Sequence, residues 1–366
     1  MKIIITGGGT GGHIYPGISL ARELQKRDKK NEIVFIGSNR GMESEIIPRE
    51  GFQFFSLKVM GIKREICFDN ISTLVLFFKS LFTSYKLIKN IKPDLVIGTG
   101  GYVSGSIALI SSLLGIPTFI HEQNAIPGIT NQFLSFTSRA VFISVPESRQ
   151  YFWKKNKIVC LGNPVREEVW QGNKENLIKE MGMDRSKKTI LVFGGSKGAN
   201  VINTTFLNCL ELINKSFWIN WQVLIISGKE DYQNIEEIIE NANHKKNIFI
   251  LPYLYKIGDA YDLADLVICR SGATTVAELT ARGLPAILIP YPYATGDHQL
   301  YNAQYLEKRD SAIVIPQNEL SEKRFSSEIS KLIEDEKLLK KLGDNSRKIG
   351  NRNAAEEIVN SIYRNL

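Results

Sequence analysis

Short apolar runs of strand length alternate with helix-length segments along almost the whole chain, and several runs end directly on glycine. In the first half, strands are expected at Lys2–Thr6, Glu32–Gly37, Leu95–Gly98, Thr118–His121 and Ala140–Ile143. In the second they are expected at Thr189–Phe193, Gln222–Ser227, Ile248–Leu251, Leu266–Cys269 and Ala286–Ile289. Such alternation predicts an α/β fold with parallel, doubly wound sheets that bind ligands at the carboxyl ends of their strands. The pattern restarts near Thr189, after Leu161–Arg166 (LGNPVR) and a polar helical stretch. With 366 residues the chain exceeds one ordinary core. Two Rossmann-like domains facing across a cleft are therefore expected. The first covers 1–163 and the second 164–344, with a charged C-terminal helix of about 345–366 crossing back to the first.

Three glycine loops sit where strands hand over to helices. Gly7–Gly12 (GGGTGG) satisfies G-x-G-x-x-G, before a helix expected to begin near Pro16. Two features argue against a nicotinamide or flavin dinucleotide, or a P-loop: the second strand ends at Gly37–Ser38 without an acidic residue for a ribose, and no Lys-Ser/Thr follows the last glycine. The second loop is Gly98–Gly105 (GTGGYVSG) and the third Gly194–Gly198 (GGSKG). Any one of them also suits close helix–sheet packing, where a Cβ would clash. Three at strand carboxyl ends, in two halves, favour a phosphate-bearing ligand.

The stretch Ser271–Ala303 sharpens this. It reads as a glycine turn, a helix carrying Glu278, a strand, and a polar loop carrying Gln299. A helix N-terminus after a strand offers free N–H groups and a positive dipole end to a phosphate. A carboxylate further along the helix can accept from two adjacent ribose hydroxyls.

Other polar residues gather at strand ends. His13 follows the first loop, and His121–Gly128 (HEQNAIPG) places an imidazole, Glu122 and two amides, one of them Asn124, in one loop. Arg166 stands at the expected boundary, suited to a phosphate or equally a surface linker arginine. His244, in NANHKKN, is expected to be exposed. The four histidines have no H-x-x-x-H spacing and there is no D-x-D, so no metal is expected. No nucleophile elbow is present either.

Charge is uneven. Residues 1–163 carry 20 Lys and Arg against 11 Asp and Glu; residues 164–366 carry 26 against 27, so the net +8 arises in the first half. An anionic partner on that side follows. Phe68–Ile91 packs Phe77, Phe78 and Phe82 among other apolar residues, with Lys79, Lys86, Lys89 and Lys92 interleaved or following, and Lys63 and Arg64 just before. It reads either as a helix packed on the sheet with snorkelling lysines or as an apolar patch in an anionic headgroup layer. No nucleic-acid reader motif accompanies the basic residues. MKIIIT lacks a signal peptide's apolar length, and Val103–Ile120, broken by Gly105, Gly115 and Pro117, reads as helix, turn and strand rather than a membrane span. The cysteines (Cys67, Cys160, Cys209, Cys269) form no CxxC pair and are expected to be buried, reduced thiols.

The ordered set GGTGGHIYP, GTGGYVSG, HEQNAIPG, LGNPVR, GGSKGA, RSGATTVAE and DHQLYNA is similar to the MurG family of bacterial peptidoglycan glycosyltransferases over nearly the whole length. The resemblance implies a GT-B fold, with the donor mostly in the second domain and a lipid-linked acceptor on the first. It implies inverting transfer of N-acetylglucosamine (GlcNAc) from UDP-GlcNAc to the C4 hydroxyl of N-acetylmuramic acid (MurNAc) on lipid I, without a cofactor. The place implied is the cytoplasmic face of the cell membrane. Carried across, Glu278 holds the ribose, and Ala273, Thr274 and Thr275 present amides to the diphosphate with help from Ser196. Leu254 gives a backbone contact to uracil. Gln299 and Asn124 touch the sugar hydroxyls, and Thr10, Gly11, Gly12 and Arg166 complete the pocket. Gly100, Gly101 and Tyr102 face the acceptor diphosphate. His13 is the candidate general base, with Glu122 as the alternative.

Overall fold

The computed structural model describes all residues except Arg40, 58–68 and 196–197, and for 69–78 it describes the backbone alone. It divides into two units, Met1–Arg166 with Asn351–Leu366, and Glu167–Gly350.

The strands of the first unit are β1 (Lys2–Gly7), β2 (Glu32–Ser38), β3 (Gln53–Leu57), β4 (Leu95–Gly100), β5 (Thr118–Glu122), β6 (Ala140–Ile143) and β7 (Ile158–Cys160). Its helices are α1 (Gly11–Arg27), α2 (Glu43–Arg49), α3 (Asp69–Ile91), α4 (Tyr102–Leu113) and α5 (Ile129–Leu134). In the second unit the strands are β8 (Lys188–Phe193), β9 (Trp221–Ile226), β10 (Ile248–Leu251), β11 (Leu266–Cys269), β12 (Ala286–Leu288) and β13 (Ile313–Val314). There α6 (Lys174–Met181), α7 (Asn200–Leu210), α8 (Phe217–Asn220), α9 (Tyr232–Glu240) and α10 (Ile257–Leu263) come first. They are followed by α11 (Ala273–Arg282), α12 (His298–Glu307), α13 (Glu322–Glu334) and α14 (Glu336–Ile349). The chain then returns to the first unit as α15 (Ala354–Arg364).

Both sheets are parallel, ordered β3-β2-β1-β4-β5-β6-β7 and β10-β9-β8-β11-β12-β13. Their central strands are apolar on both faces because helices cover both sides: β1 buries Ile3, Ile4 and Ile5 completely. The ten strands expected from the sequence are present, with ends moved by a residue or two. Strands β3, β7 and β13 were not expected. All three are short edge strands, and Gln53–Leu57 carries polar residues at both Gln53 and Ser56, which breaks the apolar run.

Strand order reverses between β1 and β4 in one sheet and between β8 and β11 in the other. These are the switch points at which open parallel sheets bind ligands. The loops Gly7–Gly12 and Gly98–Gly105 follow the first pair, and the loops at 194–199 and 270–275 follow the second.

The C-terminal return is an apolar weld. Ile358, Val359 and Ile362 of α15 are completely buried in the cluster that holds Ile3, Ile5 and Ile18. Burying each contributes about 1.5–3 kcal/mol. Asn351 at the re-entry donates from Nδ2 to the Leu161 carbonyl (2.9 Å).

Two cysteine expectations hold and one fails. Cys209 and Cys269 are buried, and burial pushes both thiols up. Cys160 is exposed, because it lies on the edge strand β7. Cys67 lies outside the described residues. His244 is half-buried rather than exposed, stacked on Trp218 at 4.7 Å.

Candidate active site

In the first unit the two glycine loops interlock. Gly8 N donates to Gly100 O (3.3 Å). A Cβ on Gly101, which has φ +83°, would lie 2.6 Å from Gly8 O. Gly100 itself has φ +108°. Helix α1 starts at Gly11, five residues earlier than expected, with Pro16 inside it. His13 therefore lies in the first turn, beside the loop, and not ahead of the helix.

The His13 ring is oriented by that loop. Nδ1 is 2.9 Å from Gly8 O. A carbonyl can only accept, so Nδ1 carries the proton and Nε2 of the neutral ring keeps its lone pair. Gly100 makes room for this edge of the ring: a Cβ there would stand 2.8 Å from Cδ2 and 3.0 Å from Nε2.

A buried carboxylate that sequence reasoning missed supports the same loop. Glu43, at the start of α2, accepts from Gly9 N (2.9 Å) and Ser38 N (2.8 Å). A Cβ on Gly8, Gly37 or Gly41 would come within 2.5 Å of its side chain. The three glycines thus clear space for one acid, a relation that no local pattern announces.

The HEQNAIPG loop is held by its own members. Glu122 is buried. Its Oε1 accepts from Asn124 N (3.0 Å) and Asn124 Nδ2 (3.2 Å), and its Oε2 from Gly128 N (3.1 Å) and Asn131 Nδ2 (2.8 Å). Both oxygens are engaged in shaping the loop, which suits support better than proton transfer. His121 is buried too. Its Nε2 donates to Gly162 O (3.1 Å), and its Nδ1 accepts from Gln123 Nε2 (3.0 Å). Burial pushes it down to about 4, so it is neutral at physiological pH. Arg166 lies over Tyr15 of α1, with Cζ 3.9 Å from the ring centroid. That contact fixes it two positions along the helix from His13, unlike a free linker arginine. Thr10 and Tyr102 are exposed beside these loops, and Gly12 and Gly11 half-buried.

In the second unit, Gly272 caps α11 in an extended conformation, and Ala273, Thr274 and Thr275 form the half-buried first turn. Glu278, 4 % exposed, faces inward one and a half turns on and accepts from Tyr261 Oη (2.9 Å). Tyr261 comes from α10 and was not singled out in the sequence. Gln299 lies in the first turn of α12, not in a loop, because helix formation begins at His298. Its Oε1 accepts from Tyr291 N (3.0 Å), while its carbonyl accepts from Ser271 Oγ (2.7 Å). Asn302 Nδ2 donates to Ser271 O (3.2 Å). The starts of α11 and α12 are therefore tied together. Arg270 adds a cross-tie, donating to Ile289 O and Pro290 O (both 3.1 Å) and to Gln317 Oε1 (2.6 Å); burial lowers it to about 10. Leu254 is half-buried in the loop between β10 and α10, between Tyr253 and Tyr255. The glycine loop before α7 has φ +98° at Gly195 and +76° at Gly198; Ser196 lies outside the described residues.

Models of the glycosyltransferase family 28 N-terminal and C-terminal domains match residues 3–143 and 189–360. The chain belongs to glycosyltransferase family 28. A relative from Thermoanaerobacter sp. (strain X514) is 42% identical over 364 residues, 99% of each chain. One from Acetivibrio thermocellus is 41% identical, covering 100% of this chain and 99% of that one. Both are named UDP-N-acetylglucosamine–N-acetylmuramyl-(pentapeptide) pyrophosphoryl-undecaprenol N-acetylglucosamine transferase. Among solved structures, MurG of Acinetobacter baumannii aligns with TM-score 0.79 at 26% identity, covering 99% of both chains. A Neisseria meningitidis UDP-GlcNAc 2-epimerase aligns at 0.69 with 14% identity over 100% of both, a likeness of fold alone. The two parallel α/β units are those of the GT-B class.

Proposed function

We infer that this chain is the inverting transferase that moves GlcNAc from UDP-GlcNAc to the C4 hydroxyl of MurNAc on undecaprenyl-pyrophosphoryl-MurNAc-pentapeptide, making lipid II. The observation that carries the reading is the corner after β11. A helix start suited to a diphosphate is followed by an inward carboxylate, Glu278, whose Oε2 is held by Tyr261, in a chain whose relatives at about 40% identity bear that activity's name.

In this reading the second unit takes the donor. Glu278 accepts from the ribose hydroxyls, and the first-turn amides of Ala273–Thr275, with Ser196, receive the diphosphate. The Leu254 backbone meets uracil, and Gln299 donates from its remaining Nε2 to a sugar hydroxyl. The first unit takes the acceptor. Gly100, Gly101 and Tyr102, at the start of α4, receive the acceptor diphosphate. Asn124 of this unit meets a GlcNAc hydroxyl of the donor, as Gln299 does, and Thr10, Gly11, Gly12 and Arg166 complete that pocket with amides and charge.

The chemistry is a single displacement. His13 Nε2 takes the C4 hydroxyl proton as that oxygen attacks C1 of GlcNAc. The bond from C1 to the diphosphate oxygen breaks in the same step, UDP leaves with the electron pair, and α becomes β. Helix-start amides stabilise the charge growing on the leaving diphosphate.

The protein works at the cytoplasmic membrane surface as a peripheral protein, with α3 against anionic lipid. Supporting this, Phe82 is exposed with Lys86 Nζ 4.5 Å from its ring, and Lys79 is exposed. The side chains of Phe77 and Phe78, and Lys63 and Arg64, lie outside the described residues. No helix among the described residues is long and apolar enough to cross a membrane.

The test is incubation of purified protein with labelled UDP-GlcNAc and lipid I in detergent. A labelled lipid disaccharide with UDP released in equal amount is expected. UDP-GlcNAc bound but intact points to another acceptor, and UDP released without acceptor to an epimerase-like reaction; either result overturns the reading.

A further inference from the structure

A second apolar surface lies on the first unit, outside the residues assigned above. Ile129 and Phe133, four apart on α5, both point outward, and Phe133 is 53 % exposed. Phe136 (44 %) follows, and Trp153 (54 %) reaches it from the segment before β7. The aromatic rings form a continuous stack: Phe133 and Phe136 are edge-on at 6.3 Å, and Phe136 and Trp153 lie 5.3 Å apart with 30° between planes.

The stack cannot fold inward, because the inward positions are taken. Leu134 and Phe152, each adjacent in sequence to a stack residue, are buried with Ile120, Val141 and Ile143. Lys157 clamps the two segments by donating to Phe136 O (3.1 Å) and Ser138 O (2.7 Å). An exposed, rigid aromatic cluster of this kind marks an interaction surface.

Charge identifies the partner. From Gln123 to Arg166 there are six basic residues and one acid, Glu147. Lys154 and Lys155, directly after Trp153, are exposed. Tryptophan and phenylalanine beside lysines, with acids depleted, is the composition that settles at the headgroup level of an anionic bilayer. The surface also connects to α3 through α4: Ser84 Oγ meets Ser106 Oγ at 3.1 Å, and a Cβ on Gly105 would stand 2.8 Å from Thr130. We propose that the Phe133–Phe136–Trp153 stack, with Lys154 and Lys155, is a second membrane-contacting element that seats on anionic lipid. The proposal rests on the reading that this protein works at a membrane surface.

The experiment is sedimentation of the full chain with phosphatidylcholine vesicles, with and without phosphatidylglycerol, together with fluorescence quenching by bromine-labelled acyl chains. Wild type is expected to partition onto the phosphatidylglycerol vesicles with quenched tryptophan emission. Trp153→Phe should abolish most of the quenching, since Trp218 and Trp221 are buried and the half-buried Trp170 belongs to the second unit. Phe136→Ser with Trp153→Ser should weaken partitioning about tenfold, with UDP binding in solution unchanged as the check on folding. Wild type and double variant binding the vesicles equally, with no quenching of Trp153, overturns the proposal while leaving α3 as the anchor. Wild type binding no vesicle overturns the membrane reading and the proposal with it. Equal binding to vesicles lacking phosphatidylglycerol overturns the anionic preference.

Discussion

Tyr261 Oη donates to Glu278 Oε2 across 2.9 Å, with both side chains buried. The phenol engages one oxygen of the carboxylate and so limits the rotation of the group. A hydrogen bond to a charged group contributes about 1.5–3 kcal/mol. Tyr261→Phe keeps the ring, its packing on Phe193 at 6.1 Å and the volume, so its effect isolates the hydroxyl. UDP affinity by calorimetry should fall about tenfold, and Glu278→Ala should cost about a hundredfold. In Tyr261→Phe the preference for UDP over 2′-deoxy-UDP should narrow, which a purely structural contribution would leave unchanged. Unaltered UDP binding in Glu278→Ala would remove the ribose assignment.

His121 makes stability depend on pH. Its folded-state value of about 4 lies below the ordinary 6.5. Between those values the unfolded chain binds a proton that the folded chain refuses, so stability falls as pH drops from about 6.5 toward 4 and is flat above 6.5 with respect to this group. The contribution lost is of order 2–3 kcal/mol. Urea unfolding at pH 5, 6, 7 and 8 should show this decline in wild type and a shallower one in His121→Gln. Parallel curves for the two proteins would mean that other groups govern the acid side.

Much of the scaffold was legible because burial on both faces writes parallel strands as plain apolar runs, and because glycine marks each corner at β1, β4, β8 and β11. The edge strands β3, β7 and β13 were not, since half-exposed strands mix polar residues into a weak period. At the site, His13, Glu278 and Gln299 were visible as polar residues next to corners. The residues that hold them were not. Glu43 reaches Gly9 from 34 positions away, and Tyr261 reaches Glu278 from the preceding helix. Such partners depend on how elements pack, and nothing in their local sequence distinguishes them from ordinary helix residues.

Glu43 lends itself to an isosteric change. Glu43→Gln preserves the volume that Gly8, Gly37 and Gly41 leave open, but one of its two acceptor oxygens becomes a donor facing a backbone N–H. The cost should be about 1–3 kcal/mol in unfolding free energy. Because Gly8 O orients His13, kcat should also fall, by about tenfold, with KM for UDP-GlcNAc little changed. Loss of stability with kcat intact would confine Glu43 to the fold.

Gly100→Ala tests the geometry of the proposed base, His13, most directly. The position has φ +108°, which alanine adopts only with strain, and the added methyl would stand 2.8 Å from His13 Cδ2. Gly100 O also accepts from Gly8 N, so relief by moving the backbone would shift the carbonyl that orients the imidazole. In the proposed mechanism either movement displaces Nε2 from the acceptor hydroxyl. Displacement of about 1 Å costs on the order of a hundredfold in rate, and removing the base in His13→Ala costs about 10²–10⁴-fold. The double variant should therefore be no slower than His13→Ala alone, because a misplaced base and an absent one remove the same step. Independent, multiplying losses in the two variants would show that Gly100 acts through the acceptor loop rather than through His13.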